Sequence, residues 1–221
     1  MDDFRRRFLE LALQAQALRF GEFTLKSGRT SPYFFNAGRF DSGATLAALA
    51  DCYADAIEAA DAPAFDLLFG PAYKGIPLAS ALACSYARRG RDLPLAFNRK
   101  EAKAHGEGGT LIGAPLAGRR VLIVDDVITA GTAVREALAL IGEGGGTPVA
   151  IAIALDREEV VDADAAVRQS AAQAVAREHG LAVIAVARLS DLLAFAGESG
   201  DLVAQREQLV AYRSRYGCHA G

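Results

Sequence analysis

The sequence predicts an α/β domain, a parallel sheet with helices on both faces. Two observations carry this. Short apolar runs alternate with helical segments along the chain, which is the signature of βα units. One of those runs, PVAIAIAL at 148–155, is apolar almost throughout, as strands buried on both faces tend to be. A length of 221 residues suits one well-packed domain, and 52% hydrophobic with 23% charged residues is an ordinary globular composition.

The elements follow in order. Phe4, Phe8, Leu9 and Leu11 recur at helical spacing and predict an amphipathic helix over about 3–18. The segment KSGRTSPYFFNAGRF, 26–40, reads as turn-rich, and Ser42 is placed to cap a helix over about 43–60. FDLLF at 65–69 is a strand stopped by Gly70 and Pro71, followed by a helix from after Pro77 to about 88. LPLAF at 93–97, VLIV at 121–124, PVAIAIAL at 148–155 and LAVIAVA at 181–187 supply the other strands. Helices after Thr132, around 166–179 and from about 189 fill the gaps. GEGGG at 142–146 follows a helix, so it fits a helix-to-strand turn better than a dinucleotide loop. No repeat and no linker interrupts the pattern.

A net charge of -3 and a pI near 5.7 give no general basic field, so nucleic acid is not the expected partner. Asp2, Asp3 and Glu10 argue against a targeting peptide and predict a cytoplasmic protein. No apolar run approaches the roughly 18 residues of a membrane span. Cys52, Cys84 and Cys218 are odd in number and in no metal spacing, so they read as reduced and structural.

The stretch VLIVDDVITAGTA, 121–133, places Asp125 and Asp126 side by side at a strand end, although adjacent like charges repel. Ligands of open parallel sheets bind outside the carboxyl ends of the strands. After the acids, ITAGTA can turn its backbone N–H groups to an anion. Gly131 would permit close approach, Thr129 and Thr132 would donate hydroxyls, and the next helix would point its N-terminus at the same spot. Two ionised carboxylates accept hydrogen bonds from vicinal hydroxyls. Together the parts describe a ribose 5-phosphate site, against the plainer reading of a strand-to-helix turn with solvated acids. GPAYKGIP, 70–77, sets a tight turn at another strand end and presents Lys74 as a cation for diphosphate. FNRKEAKAHGEGGTLIG, 97–113, gathers Arg99, Lys100, Lys103 and His105 on a long glycine-containing connection. It reads as a lid that closes over a leaving diphosphate.

The run from 121 to 133 resembles the phosphoribosyl-diphosphate (PRPP) motif of the type I phosphoribosyltransferases. FTLKSGRTSPYFFN at 23–36, GPAYKGIPL at 70–78, NRKEAKAHGEGG at 98–109 and ALDREE at 154–159 resemble further segments of family members that take orotate. The resemblance implies a type I phosphoribosyltransferase fold over 1–221, with about 1–40 and the C-terminal part forming a hood. It implies catalytic roles for Asp125, Asp126, Lys103 and His105. PRPP contacts are implied at Lys26, Tyr73, Lys74, Arg99, Lys100, Lys103, His105, Asp125, Asp126, Val127, Ile128, Thr129, Ala130, Gly131, Thr132 and Ala133. Orotate contacts are implied at Lys26, Phe34, Phe35, Thr129 and Arg157, with Phe34 and Phe35 as the pair holding the flat pyrimidine. The implied reaction is phosphoribosyl transfer from PRPP to orotate in de novo pyrimidine synthesis. Mg²⁺ would be carried mainly by diphosphate and water, with no direct protein ligand. The implied unit is a homodimer that shares the 98–109 loop across its interface. The alanine-rich segment after Arg157 departs from the family pattern. Two alternatives keep the acid motif, a purine phosphoribosyltransferase and a non-catalytic PRPP sensor. A receiver domain would carry its paired acids in the first strand, which is not the case here.

Overall fold

The computed structural model describes residues 1–25, 28–101, 110–160, 168–198 and 202–218. Helix α1, Asp3–Gln14, buries Phe4, Phe8, Leu9 and Ala12. It is shorter than its spacing suggests, because from Leu18 the chain turns to strand β1, Leu18–Thr24, which pairs antiparallel with β2, Thr30–Phe35. The turn-rich reading of 26–40 is therefore corrected to a hairpin over part of its length. In β2 the burial alternates, with Ser31, Tyr33 and Phe35 facing inward and Thr30, Pro32 and Phe34 outward.

Helix α2, Gly43–Ala59, starts at a capping box. Ser42 Oγ accepts from Thr45 N at 3.2 Å, and Ser42 N donates to Thr45 Oγ1 at 3.2 Å. There follow β3 (Leu67–Gly70), α3 (Gly75–Arg88), β4 (Leu95–Asn98), β5 (Leu111–Gly113), β6 (Arg120–Asp125), α4 (Thr132–Glu143), β7 (Thr147–Asp156), α5 (Ala171–His179), β8 (Ala182–Arg188), α6 (Leu189–Glu198) and α7 (Val203–Tyr216). Helix α3 begins before Pro77, not after it. Pro77 lies in the first turn, where an N–H has no intrahelical acceptor to lose. The end of the 97–113 connection is an edge strand, β5, antiparallel to β4. Gly113 sits at φ +102°, and an added Cβ would lie 2.3 Å from the Leu95 carbonyl oxygen, so that close crossing needs glycine.

The six-stranded sheet runs β5-β4-β3-β6-β7-β8, parallel from β4 to β8. Its two faces are buried by different helices. Leu68, Leu122, Val124, Ala150, Ala152 and Ala154 join α1, α2 and α3, while Leu67, Phe69, Val121, Ile123, Ile151 and Ile153 join α4 and α5. From β3 the chain moves through α3 to β4, whereas from β6 it moves through α4 to β7, away on the other side. The carboxyl ends of β3 and β6 thus form the switch point where an open sheet leaves its crevice. Among the described residues no helix is long and apolar enough to cross a membrane.

Candidate active site

Asp125 ends β6 and Asp126 follows it, 8% and 5% exposed. The local backbone is bonded to its own acids: Asp126 N donates to Asp125 Oδ1 and Val127 N to Asp126 Oδ1, each at 2.9 Å. Lys74 Nζ donates to Asp126 Oδ2 at 2.6 Å, a charge-assisted bond between a buried carboxylate and a half-exposed cation. The turn that brings Lys74 there depends on close backbone contact. A Cβ on Gly75 would lie 2.5 Å from Pro71 Cδ and 2.7 Å from the Val124 carbonyl oxygen. Gly75→Ala must therefore push α3 away from β6, and it should lower stability by about 1–3 kcal/mol, measured by denaturant unfolding.

Burial, and then the charge of Asp126, raise the Asp125 carboxyl to about 7, against the opposing Asp126 N–H and Lys74. An unfolded Asp titrates near 3.9, roughly, so between about pH 4 and 7 the folded chain holds a proton that the unfolded chain has released. The contribution of Asp125 to stability is full below that window and lost as pH rises through it. Relative to Asp125→Asn, the parent chain should lose melting temperature between about pH 4 and 7, while kcat/KM for a substrate bound by ionised Asp125 rises.

Beyond the acids, Val127 packs toward one core cluster and Ile128 is buried in the other, so their side chains anchor the loop. Thr129, Ala130, Thr132 and Ala133 are exposed, and Gly131, at φ +71°, is the left-handed N-cap of α4. Arg135 Nη2 folds back onto the Ala130 carbonyl oxygen at 2.7 Å. This strand end, left-handed turn and helix N-terminus lie beside two carboxylates, an arrangement chemically able to take an anion.

Tyr73 is 66% exposed, with Lys100 Nζ 5.2 Å from its ring centre. Asn98 Oδ1 accepts from Ala72 N at 2.9 Å and ties the 70–75 turn to β4. Arg99 N donates to the Thr110 carbonyl at 2.9 Å. Arg157 follows β7. Its Nε and Nη2 meet Glu159 Oε1 at 2.9 and 2.8 Å, Nη2 lies 3.4 Å from Ser31 Oγ, and the guanidinium stacks 4.9 Å from the Tyr33 ring centre. Burial opposes its charge, but Tyr33 and Glu159 outweigh burial and the pKa is raised.

A family model for the phosphoribosyl transferase domain matches residues 40–188. The chain belongs to the phosphoribosyl transferase family. Within the family its place is among the orotate phosphoribosyltransferases. It is 76% identical over 218 residues to the orotate phosphoribosyltransferase of Xanthomonas axonopodis pv. citri, covering 98% of each chain. It is 65% identical over 220 residues to that of Xylella fastidiosa, covering 100% of this chain and 99% of the other. The crystal structure of the Francisella tularensis orotate phosphoribosyltransferase matches with a TM-score of 0.84 at 41% identity, over 95% of this chain and 98% of that one.

Several of the residues that the family resemblance singles out come together here. Asp125, Asp126, Lys74 and the 127–133 loop share the switch point, and Lys100, just after β4, lies over Tyr73 of the 70–75 turn. Lys26, Lys103 and His105 lie outside the described residues. Phe34 and Phe35, the pair implied to hold the pyrimidine, present their side chains to opposite faces of β2. Phe35 is 9% exposed and packs on Phe8 and Phe40, whereas Phe34 is on the other face of β2 with Phe23 and Arg19. Adjacent residues of a strand point to opposite sides, so the two side chains have different surroundings. Sequence reasoning missed Tyr53, whose hydroxyl donates to the Asp125 carbonyl at 2.7 Å, and the Ser31, Tyr33 and Glu159 partners of Arg157. The alternation that turns Ser31 and Tyr33 inward appears in the burial of β2 and not in the polarity of TSPYFF. A separate cavity of about 630 Å³, lined by Leu193, Val210, Arg213 and Cys218 among others, shares none of these residues.

Proposed function

We propose that this chain transfers the phosphoribosyl group of PRPP to N1 of orotate, releasing diphosphate and orotidine 5′-monophosphate. The observation that carries the reading is the acid pair beside Lys74, set at the switch point and followed by the anion cradle at α4. In this reading the 127–133 loop takes the 5-phosphate, with Thr129 also near orotate. The Asp125 and Asp126 carboxylates accept from the two ribose hydroxyls, and Lys74, Tyr73, Arg99 and Lys100 face the diphosphate. Orotate is already an anion, so the chain needs no strong general base. The barrier is cleavage of the C1–diphosphate bond, and the two carboxylates stabilise positive charge growing on the sugar. The 1–221 chain acts as one domain, with the β1–β2 hairpin and α7 as its hood. The T-shaped contact of Tyr33 with Tyr212 at 6.2 Å supports this.

The donor set suits Mg²⁺ carried by substrate: Asp126 Oδ2 is already bonded to Lys74 and Asp126 Oδ1 to Val127 N. When bound, the ion neutralises charge on the departing diphosphate. The Asp125 and Asp126 carboxylates are the groups that would meet its waters.

Arg157 supports orotate over a purine acceptor, since a planar guanidinium suits the carboxylate that adenine and hypoxanthine lack. With PRPP and Mg²⁺, orotate should saturate the enzyme while adenine and hypoxanthine give no turnover; equal use of a purine would overturn the acceptor assignment. The active unit in this reading is a homodimer sharing the 98–109 loop. A mixture of Lys103→Ala and Asp125→Asn chains should then regain up to about a quarter of full activity, because half the dimers are mixed and each has one intact site. A mixture that stays dead while subunits exchange contradicts the shared loop.

A further inference from the structure

Tyr53 lies on α2 and is 1% exposed, packed in the core cluster that contains Leu122 and Val124 of β6. Its hydroxyl donates to the Asp125 carbonyl oxygen at 2.7 Å. The reason that bond exists is topological. The pairing of β3 with β6 reaches Phe69 opposite Ile123; Gly70 still pairs with Phe97 of β4, and the chain then leaves the sheet at Pro71. The Asp126 carbonyl turns to β7 and accepts from Ala154 N and Leu155 N at 2.9 and 3.3 Å. Successive carbonyls of an extended chain point to opposite sides, so that of Asp125 faces the gap left by β3. A buried carbonyl without a partner costs free energy, and the Tyr53 hydroxyl fills the place of the missing strand.

We propose that Tyr53 is a positioning residue for phosphoribosyl transfer, holding the peptide that joins the two acids. This rests on the reading above that those acids hold the ribose. The N–H side of that peptide is held by Asp125 Oδ1, and the carbonyl side by Tyr53. Rotation of the one peptide would swing both carboxylates. Burial and the charges of Asp126 and Asp125 keep the phenol pKa well above its usual value, so the group remains a donor.

Tyr53→Phe keeps the ring and removes the donor. It should lower kcat/KM for PRPP by about ten- to a hundredfold, the scale of a misplacement of about 1 Å, and leave KM for orotate within about twofold. Tyr86→Phe is the matched control, since the Tyr86 hydroxyl is buried with no hydrogen-bond partner among the described residues and belongs to no part of the site. It should leave both parameters unchanged. Where Tyr53→Phe does not fold, 4-fluorophenylalanine and 4-aminophenylalanine at position 53 replace it: the first fills the space without a donor, the second restores an N–H donor. Activity should stay low with the fluoro group and recover with the amino group. A folded variant lacking the donor that keeps kcat/KM for PRPP within about twofold overturns the role, as does an amino variant no better than the fluoro one. If the unsubstituted chain itself fails to consume orotate, the functional reading falls and this role falls with it; an active parent with an indifferent Tyr53→Phe removes this role alone.

Discussion

Asn at both Asp125 and Asp126 should leave a folded protein whose kcat/KM for PRPP is lower by about a hundred- to ten-thousandfold. Each carboxylate bonded to a ribose hydroxyl is worth roughly 1.5 to 3 kcal/mol, and about 1.4 kcal/mol is a factor of ten. The fold should survive, because Asn fills the same volume and the substitution removes the repulsion of two buried like charges. Lys74 loses its partner but is half exposed and can turn to water. Circular dichroism with steady-state kinetics checks both parts. Near-parental activity in the double variant would remove the ribose assignment.

Arg157→Ala should raise KM for orotate by about ten- to a hundredfold and change KM for PRPP by less than about threefold, since one charge-assisted carboxylate pair is lost. Stability should fall as well. Glu159 is 11% exposed in its side chain and would keep its carboxylate without the guanidinium, a situation that costs about 3 kcal/mol or more. Adding Glu159→Gln should restore much of the melting temperature without restoring orotate affinity, which separates binding from folding. Equal weakening of both substrates would place Arg157 outside the acceptor pocket.

The strands of the large sheet were legible because burial on both faces writes them as apolar runs. VLIV and PVAIAIAL became Arg120–Asp125 and Thr147–Asp156 with ends shifted by a residue or so. The hairpin was not legible. Pro32, Gly21 and Gly28 interrupt its alternation, and Leu11, Leu13 and Leu18 let the preceding helix read on past Gln14. The three-residue β5 is too short for any periodicity, and its pairing with β4 is decided by contact rather than by its own sequence.

The same division runs through the site. Asp125, Asp126 and Lys74 stood out because charge placed directly after a buried strand has few structural reasons to be there. Tyr53 did not, since an aromatic residue at a buried position of a helix reads as core, and its hydroxyl has a task only because β3 departs three-dimensionally from beside β6. Phe34 and Phe35 were singled out by the family resemblance as the pair that holds the pyrimidine. The alternation of β2 places their side chains on opposite faces, and the strand itself was hidden by Pro32 in its sequence.

The most direct test is stoichiometric: purified chain with PRPP, Mg²⁺ and orotate, following orotate absorbance while diphosphate and nucleotide are quantified. Loss of orotate should be matched one for one by diphosphate and orotidine 5′-monophosphate, and abolished in the Asp125→Asn, Asp126→Asn chain. Diphosphate release without orotate consumption, or unchanged orotate in the presence of a folded, PRPP-bound protein, would contradict the proposed transfer.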